Sequence, residues 1–118
     1  NEKTRMVIYS SPCNPSGSVY TKSETSDLAD VLRKYDNVYT ISDEIYELIN
    51  FTPKHASLAA EPGMMERVIT VNGVSKGFAM TGWRLGYIGA PKWIADACTK
   101  IQGQFTSAPC SIAQAAAA

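Results

Sequence analysis

The sequence has no excess of charge. Its 11 basic and 11 acidic side chains leave a formal net charge of zero at pH 7. A general nucleic-acid binder carries a basic surplus, so that class of partner is excluded. No apolar run approaches the ~20 residues that span a bilayer, and the N-terminus lacks the apolar core of a signal peptide. No membrane partner is expected. Cysteine is scarce: Cys13, Cys98 and Cys110 are odd in number and lack metal-ligand spacing. This predicts free thiols, no metal centre and a reducing, cytoplasmic setting. Histidine is scarcer still, with His55 alone in a polar loop that reads as exposed and carries no assigned chemistry. There is no G-x-x-x-x-G-K-[ST] run, so the lysine at position 76 is not part of a P-loop. Internal repeats and linker-like blocks are missing too.

What is present is an ordinary globular composition, 45% hydrophobic over 118 residues, which suits one domain. "MVIYSS" (Met6 to Ser11) is a short β-prone run of the kind buried on both faces of a sheet. "PCNPSG" forces a turn after it. "TKSETSDLADVLRKY" places Leu28, Val31, Leu32 and Tyr35 at helical spacing. Thr21 and Glu24 stand in front of them, three apart, as a capping box requires. A second strand is predicted over "VYTIS" (Val38 to Ser42), running into "DEIYE". A loop with Pro53, Pro62 and one helical turn follows. "RVITV" (Arg67 to Val71) and "RLGYIGA" (Arg84 to Ala90) read as the third and fourth strands. Pro91 suits the first position of a helix with Ile94, Cys98 and Ile101 on one face, and "SIAQAAAA" is a good helix former. This order predicts an α/β fold with a mostly parallel sheet flanked by helices.

The polar residues then acquire a place. Asn14 follows the first strand, Asp43 ends the second and Lys76 follows the third. If those strands are parallel, all three gather at one carboxyl edge, where open α/β sheets bind ligands. "SKGFAMTGWRLGY" (Ser75 to Tyr87) adds Arg84, eight residues beyond the lysine, across small and apolar residues. Taken singly, each motif has an ordinary explanation: a surface lysine, a turn at "NPSG", a strand end at "DEIY", a structural arginine. Together they form a chemical set. A lysine flanked by Val74, Gly77 and Phe78 is partly desolvated, which favours its neutral amine. Such an amine forms Schiff bases with aldehydes. For a pyridoxal ring, Asp43 is placed to face the ring nitrogen, Tyr46 to face the ring oxygen, and Ser75 and Arg84 to hold the phosphate.

"NPSG", "DEIY" and "SKGFAMTGWRLGY", in that order and spacing, resemble the class I aminotransferases with the aspartate-aminotransferase fold. The resemblance covers nearly the whole chain and implies part of the large domain that binds pyridoxal 5'-phosphate. Its sheet would hold about three parallel strands and one antiparallel strand. It further implies that Lys76 carries the cofactor and later moves the proton between substrate Cα and cofactor C4′. Asp43 would pair with the pyridine nitrogen, while Tyr46 and Asn14 would bond the ring oxygen. Asn14 would also face the substrate carboxylate, and Arg84, with Ser75, would bind phosphate. Some members carry a serine three before the lysine, where this sequence has Gly73. The implied reaction is transamination between an amino acid of aspartate or aromatic type and a 2-oxo acid, in a homodimer. A pyridoxal lyase or synthase, and the sensor domain of a transcription regulator, share the scaffold and stand as alternatives. The first residue is Asn1 and the last run is uncapped helix former, so a piece of a longer protein is expected. Its N-terminal part and C-terminal small domain would be absent. Such a piece should expose apolar sheet surface, self-associate and lack activity. Cys13, by contrast, reads as packing, and Trp83 and Trp93 as core or subunit contacts.

Overall fold

Four short strands make one sheet, in a computed structural model that describes residues 1–52 and 54–118. Pro53, which the sequence places in the loop before the helical turn, lies outside the described residues. β1 (Met6–Ser10) pairs in parallel with β2 (Tyr39–Asp43), and β2 in parallel with β3 (Val68–Gly73). β4 (Gly86–Gly89) runs antiparallel beside β3, so the order is β1-β2-β3-β4. The mixed sheet follows the sequence expectation. β1 does not, because it is an edge strand with one covered face. Its Ile8 is 69% exposed.

Register explains which side chains meet. Val7 lies beside Thr40 and Thr40 beside Val68; Tyr9 lies beside Ser42. Because side chains alternate across a strand, these residues share one face, and that face is the covered one. Val68, Val38, Leu58 and Met64 meet Ala29 and Leu32 of the first helix there, with Val7, Tyr9 and Leu28 against them. The opposite face carries Met6, Ile8 and Ile88, all exposed.

α1 (Lys22–Leu32) starts at the capping box read from the sequence. Glu24 N donates to Thr21 Oγ1 (3.2 Å), and Thr21 N donates to Glu24 Oε2 (2.8 Å). Its packing stripe differs from the expected one. Thr25, Ala29 and Leu32 are buried, while Val31 is 52% exposed and Tyr35 also faces solvent. At 100° per residue the 25–29–32 stripe is the one with small residues, which lets the helix approach the sheet closely. Polar pins complete the docking. Arg67 NH2 donates to the carbonyls of Leu32 (2.5 Å) and Tyr35 (2.9 Å), satisfying the open end of the helix. Glu61 is paired with Lys22 and accepts from Ser26 Oγ (3.2 Å). Leu58–Ala60 forms the expected helical turn as a 3-10 turn.

The last third departs more from expectation. Arg84 has φ +54°, outside strand geometry, so β4 begins two residues later than the sequence pattern implies. Pro91 stands at the cap of α2 (Lys92–Phe105) and not inside it. On the apolar stripe of α2, Ile94 is half-buried but Cys98 and Ile101 are exposed. Trp93 touches Tyr39 edge-on at 5.6 Å between ring centroids yet remains largely exposed, as does Trp83. Neither tryptophan is in the core. α3 (Ser111–Ala117) forms where the alanine-rich run predicts a helix. No helix among the described residues is long and apolar enough to cross a membrane.

Two outcomes follow from this packing. The 118 residues alone should sediment as an associated species at micromolar concentration, because the open sheet face and the edge of β1 are uncovered; a sharply melting monomer in analytical ultracentrifugation would contradict this. The second concerns acid. The hydrogen bond from Lys22 holds the Glu61 carboxyl below the ordinary carboxylate range. A depressed folded-state pKa gives stability that is present above the unfolded-state value and lost as pH falls through the folded one. Lys22→Met should therefore lower the melting temperature at neutral pH, and the difference from the parent should shrink below about pH 4.

Candidate functional site

The edge where β2 and β3 end is shaped by hydrogen bonds that each turn requires. Ser11 N donates to the Asp43 carbonyl (3.1 Å), which ties the end of β1 to the end of β2. Asp43 Oδ1 then accepts from Ile45 N (3.2 Å), an Asx-type turn that swings the chain away from the sheet. At the end of β3, Asn72 Oδ1 accepts from Gly73 N (2.7 Å). A Cβ on Gly73 would lie 2.8 Å from the Leu85 carbonyl oxygen, so only glycine lets the returning chain pass this close. The loop after Gly73 curls back on itself. Thr81 Oγ1 donates to the Ser75 carbonyl (3.1 Å), and Arg84 NH1 donates to the Thr81 carbonyl (3.1 Å).

The result is an open cleft of about 410 Å³ lined by Asp43, Val71, Ser75, Lys76, Thr81 and Arg84. Four of the six residues singled out in the sequence thus share one cavity, of a size that suits a small ligand. Lys76 is half-buried: Val74 is buried on one side, while Phe78 on the other turns out to solvent. The other two predicted residues form a neighbouring pair. Asn14 Nδ2 donates to Tyr46 Oη (3.2 Å), and both line an adjoining pocket of about 430 Å³ with Cys13, Ile49 and Phe51. Lys76 links the two sites, its Nζ lying 5.9 Å from the centre of the Tyr46 ring. An amine, a carboxylate and a guanidinium around one cleft, with a phenol beside it, are the chemical complements of an aldehyde, a basic ring nitrogen and a phosphate. The residues present fit pyridoxal phosphate.

A second polar cluster went unrecognised in the sequence. Ser42 and Glu44 flank Asp43, and by alternation they point to the covered side. Glu44 is buried, and its Oε1 accepts from Ser42 Oγ and Ser57 Oγ, both at 2.8 Å. Its Oε2 lies 2.8 Å from His55 Nε2. His55 is therefore half-buried and bonded, contrary to the exposed loop position expected of it. Its partner is eleven residues away on a strand end, beyond any local pattern. Ser42 Oγ is also bonded to Tyr9 Oη (3.1 Å). Burial pushes the Tyr9 phenol up, Ser42 pulls it the other way, and the Glu44 charge adds to the rise. The cluster fixes segment 55–58 against the strand that carries Asp43.

Residues 1–118 match the family model described as "Aminotransferase class I and II". Over 117 residues the chain is 53% identical to a bifunctional aspartate aminotransferase and glutamate/aspartate-prephenate aminotransferase of Petunia hybrida, covering 98% of this chain and 24% of that protein. It is 49% identical to an aspartate aminotransferase of Pyrococcus abyssi, covering 99% of this chain and 30% of that one. Among solved structures, an aromatic aminotransferase from Pyrococcus horikoshii superposes with a TM-score of 0.95 at 47% identity, over 99% of this chain and 31% of that one. The aspartate aminotransferase from Rhizobium meliloti gives the same TM-score at 43% identity, over 98% and 30%. The chain spans about a quarter to a third of the length of these relatives.

The buried cluster can be tested by stability. Glu44→Ala leaves His55, Ser42 and Ser57 without their acceptor and should cost about 2 kcal/mol, measured by urea unfolding. Glu44→Gln, which keeps an oxygen for the serines, should cost less.

Proposed function

Because the chain belongs to the class I and II aminotransferase family, we propose that it is part of the cofactor-binding large domain of a longer enzyme. That enzyme transfers an amino group between an amino acid, of aspartate or aromatic type, and a 2-oxo acid. The observation that carries this reading is the single cleft lined by Asp43, Ser75, Lys76 and Arg84. The names of the relatives, aspartate and aromatic aminotransferases, favour transamination over a lyase or a sensor function. The remaining length of the enzyme would supply an N-terminal part and a small domain. A cytoplasmic homodimer is the assembly we propose.

Bound pyridoxal phosphate supplies an aldehyde for amines and a ring that withdraws electrons from the substrate Cα. The chain's own residues do the rest. Lys76 would provide the amine that anchors the cofactor, and the same amine would then serve as the base that moves the proton from substrate Cα to cofactor C4′. It is half-buried, with its Nζ 5.9 Å from the centre of the Tyr46 ring. Asp43 is held by the Ile45 amide at one oxygen, and its carboxylate would pair with a protonated ring nitrogen. Tyr46, steadied by Asn14, would offer its phenol to the ring oxygen. Asn14 has a further role toward the substrate carboxylate. Arg84 would bind the phosphate through its guanidinium, with Ser75 lining the same cleft.

In the full-length enzyme, Lys76→Ala should abolish the visible absorbance of bound cofactor and lower turnover by about a thousandfold or more. Asp43→Ala should retain that absorbance while slowing loss of deuterium from substrate Cα by about tenfold to a hundredfold. Unchanged absorbance in the lysine variant, or an unchanged exchange rate in the aspartate variant, would refute the corresponding role.

A further inference from the structure

The two cations of the cleft sit at opposite ends of a loop with little regular structure to set their distance. Lys76 and Arg84 are separated by Gly77, Gly82 and one 3-10 turn, Thr81–Trp83. Two non-glycine residues in it, Ala79 and Arg84 itself, adopt φ +54°, a conformation that costs free energy unless surrounding contacts hold it. At its lysine end the loop is steadied by packing: a Cβ on Gly77 would lie 2.7 Å from Leu48 Cδ1. At its arginine end the described contacts converge on one residue. Thr81 Oγ1 donates to the Ser75 carbonyl, adjacent to Lys76, and the Thr81 carbonyl accepts from Arg84 NH1. Among the described residues, no other side-chain hydrogen bond joins the start of this loop to its 3-10 turn.

We propose that Thr81 is a positioning residue: its hydroxyl fixes the spacing between the Lys76 amine and the Arg84 guanidinium, and thereby matches the cleft to a ligand bearing an aldehyde at one end and a phosphate at the other. Threonine suits this task because branching at Cβ restricts χ1 and keeps the hydroxyl aimed at the carbonyl. Valine has the same shape and no donor. In the valine protein the Ser75 carbonyl turns to water, the 3-10 turn loosens, and Arg84 loses its fixed distance from Lys76. Thr81 is exposed at the rim, so the change leaves the core untouched. The inference rests on the cofactor reading given above and assigns a residue that the reading does not use.

The test uses the full-length protein with Thr81→Val, Thr81→Ala and Thr81→Ser, stripped of cofactor and titrated with pyridoxal phosphate. Visible absorbance reports binding. Both hydroxyl deletions should weaken binding about fivefold, while Thr81→Ser should stay within about twofold of the parent. The pH midpoint of the bound cofactor's absorbance, which senses the surroundings of the Lys76 amine, should move in the valine and alanine proteins and return in the serine protein. A hydroxyl that merely stabilises the fold would lower the melting temperature of the apoprotein and leave that midpoint in place. Parent-like binding and midpoint in both deletions would overturn the positioning role alone. So would a serine protein as impaired as the valine one. A parent that binds no pyridoxal phosphate would overturn the cofactor reading, and this inference with it.

Discussion

The site depends on the register of two parallel strand pairs. Ser10 lies beside Asp43, and Asp43 beside Val71, so three chain segments reach the same edge of the sheet at the same height. The loops that leave this edge carry Asn14, Tyr46 and Lys76. A slip of one residue in either pair would turn Asp43 to the covered face and bring Ser42 or Glu44 to the cleft. The covered face prevents such a slip. Thr40, Ser42 and Val68 are enclosed there by α1 and the 58–64 segment, and Glu44 is bonded to both Ser57 and His55. Hydrophobic packing on one side of the sheet thus fixes which carboxylate faces the other.

The loop from Ser75 to Arg84 meets a different demand. It must bring two cations to one cavity without an element to carry them, and their mutual repulsion favours spreading them apart. Short-range geometry substitutes for secondary structure: Gly73 admits the returning chain, Gly77 packs on Leu48, Thr81 bonds both limbs, and Arg84 accepts a left-handed backbone. In the proposed enzyme, an anionic ligand would relieve the remaining repulsion between Lys76 and Arg84.

Much of this was legible in the sequence. The β-prone runs, the turn residues and the Thr21–Glu24 box gave the element order, and parallel topology then brought Asn14, Asp43 and Lys76 to one edge without reference to any relative. The motifs around them carried the family resemblance. What escaped reading had local causes. Val31 and Tyr35 look like core residues by spacing, yet the helix docks through the smaller Thr25 and Ala29 because close approach favours them. The β-prone look of "RLGYIGA" hides the left-handed Arg84, whose conformation is imposed by the turn before it. The Glu44–His55 pair joins residues eleven apart, and a buried acid beside an exposed-looking histidine leaves no periodic trace.

The open face of the sheet, with Met6, Ile8 and Ile88 uncovered, agrees with a chain that spans a quarter to a third of its relatives. The chemistry proposed for the whole enzyme nonetheless rests on one amine within this chain. Borohydride reduction of the full-length protein with pyridoxal phosphate, followed by digestion and peptide mass mapping, tests it most directly. The account predicts a single reduced pyridoxyl adduct on Lys76. A label on another lysine, or spread over several surface lysines, would contradict it.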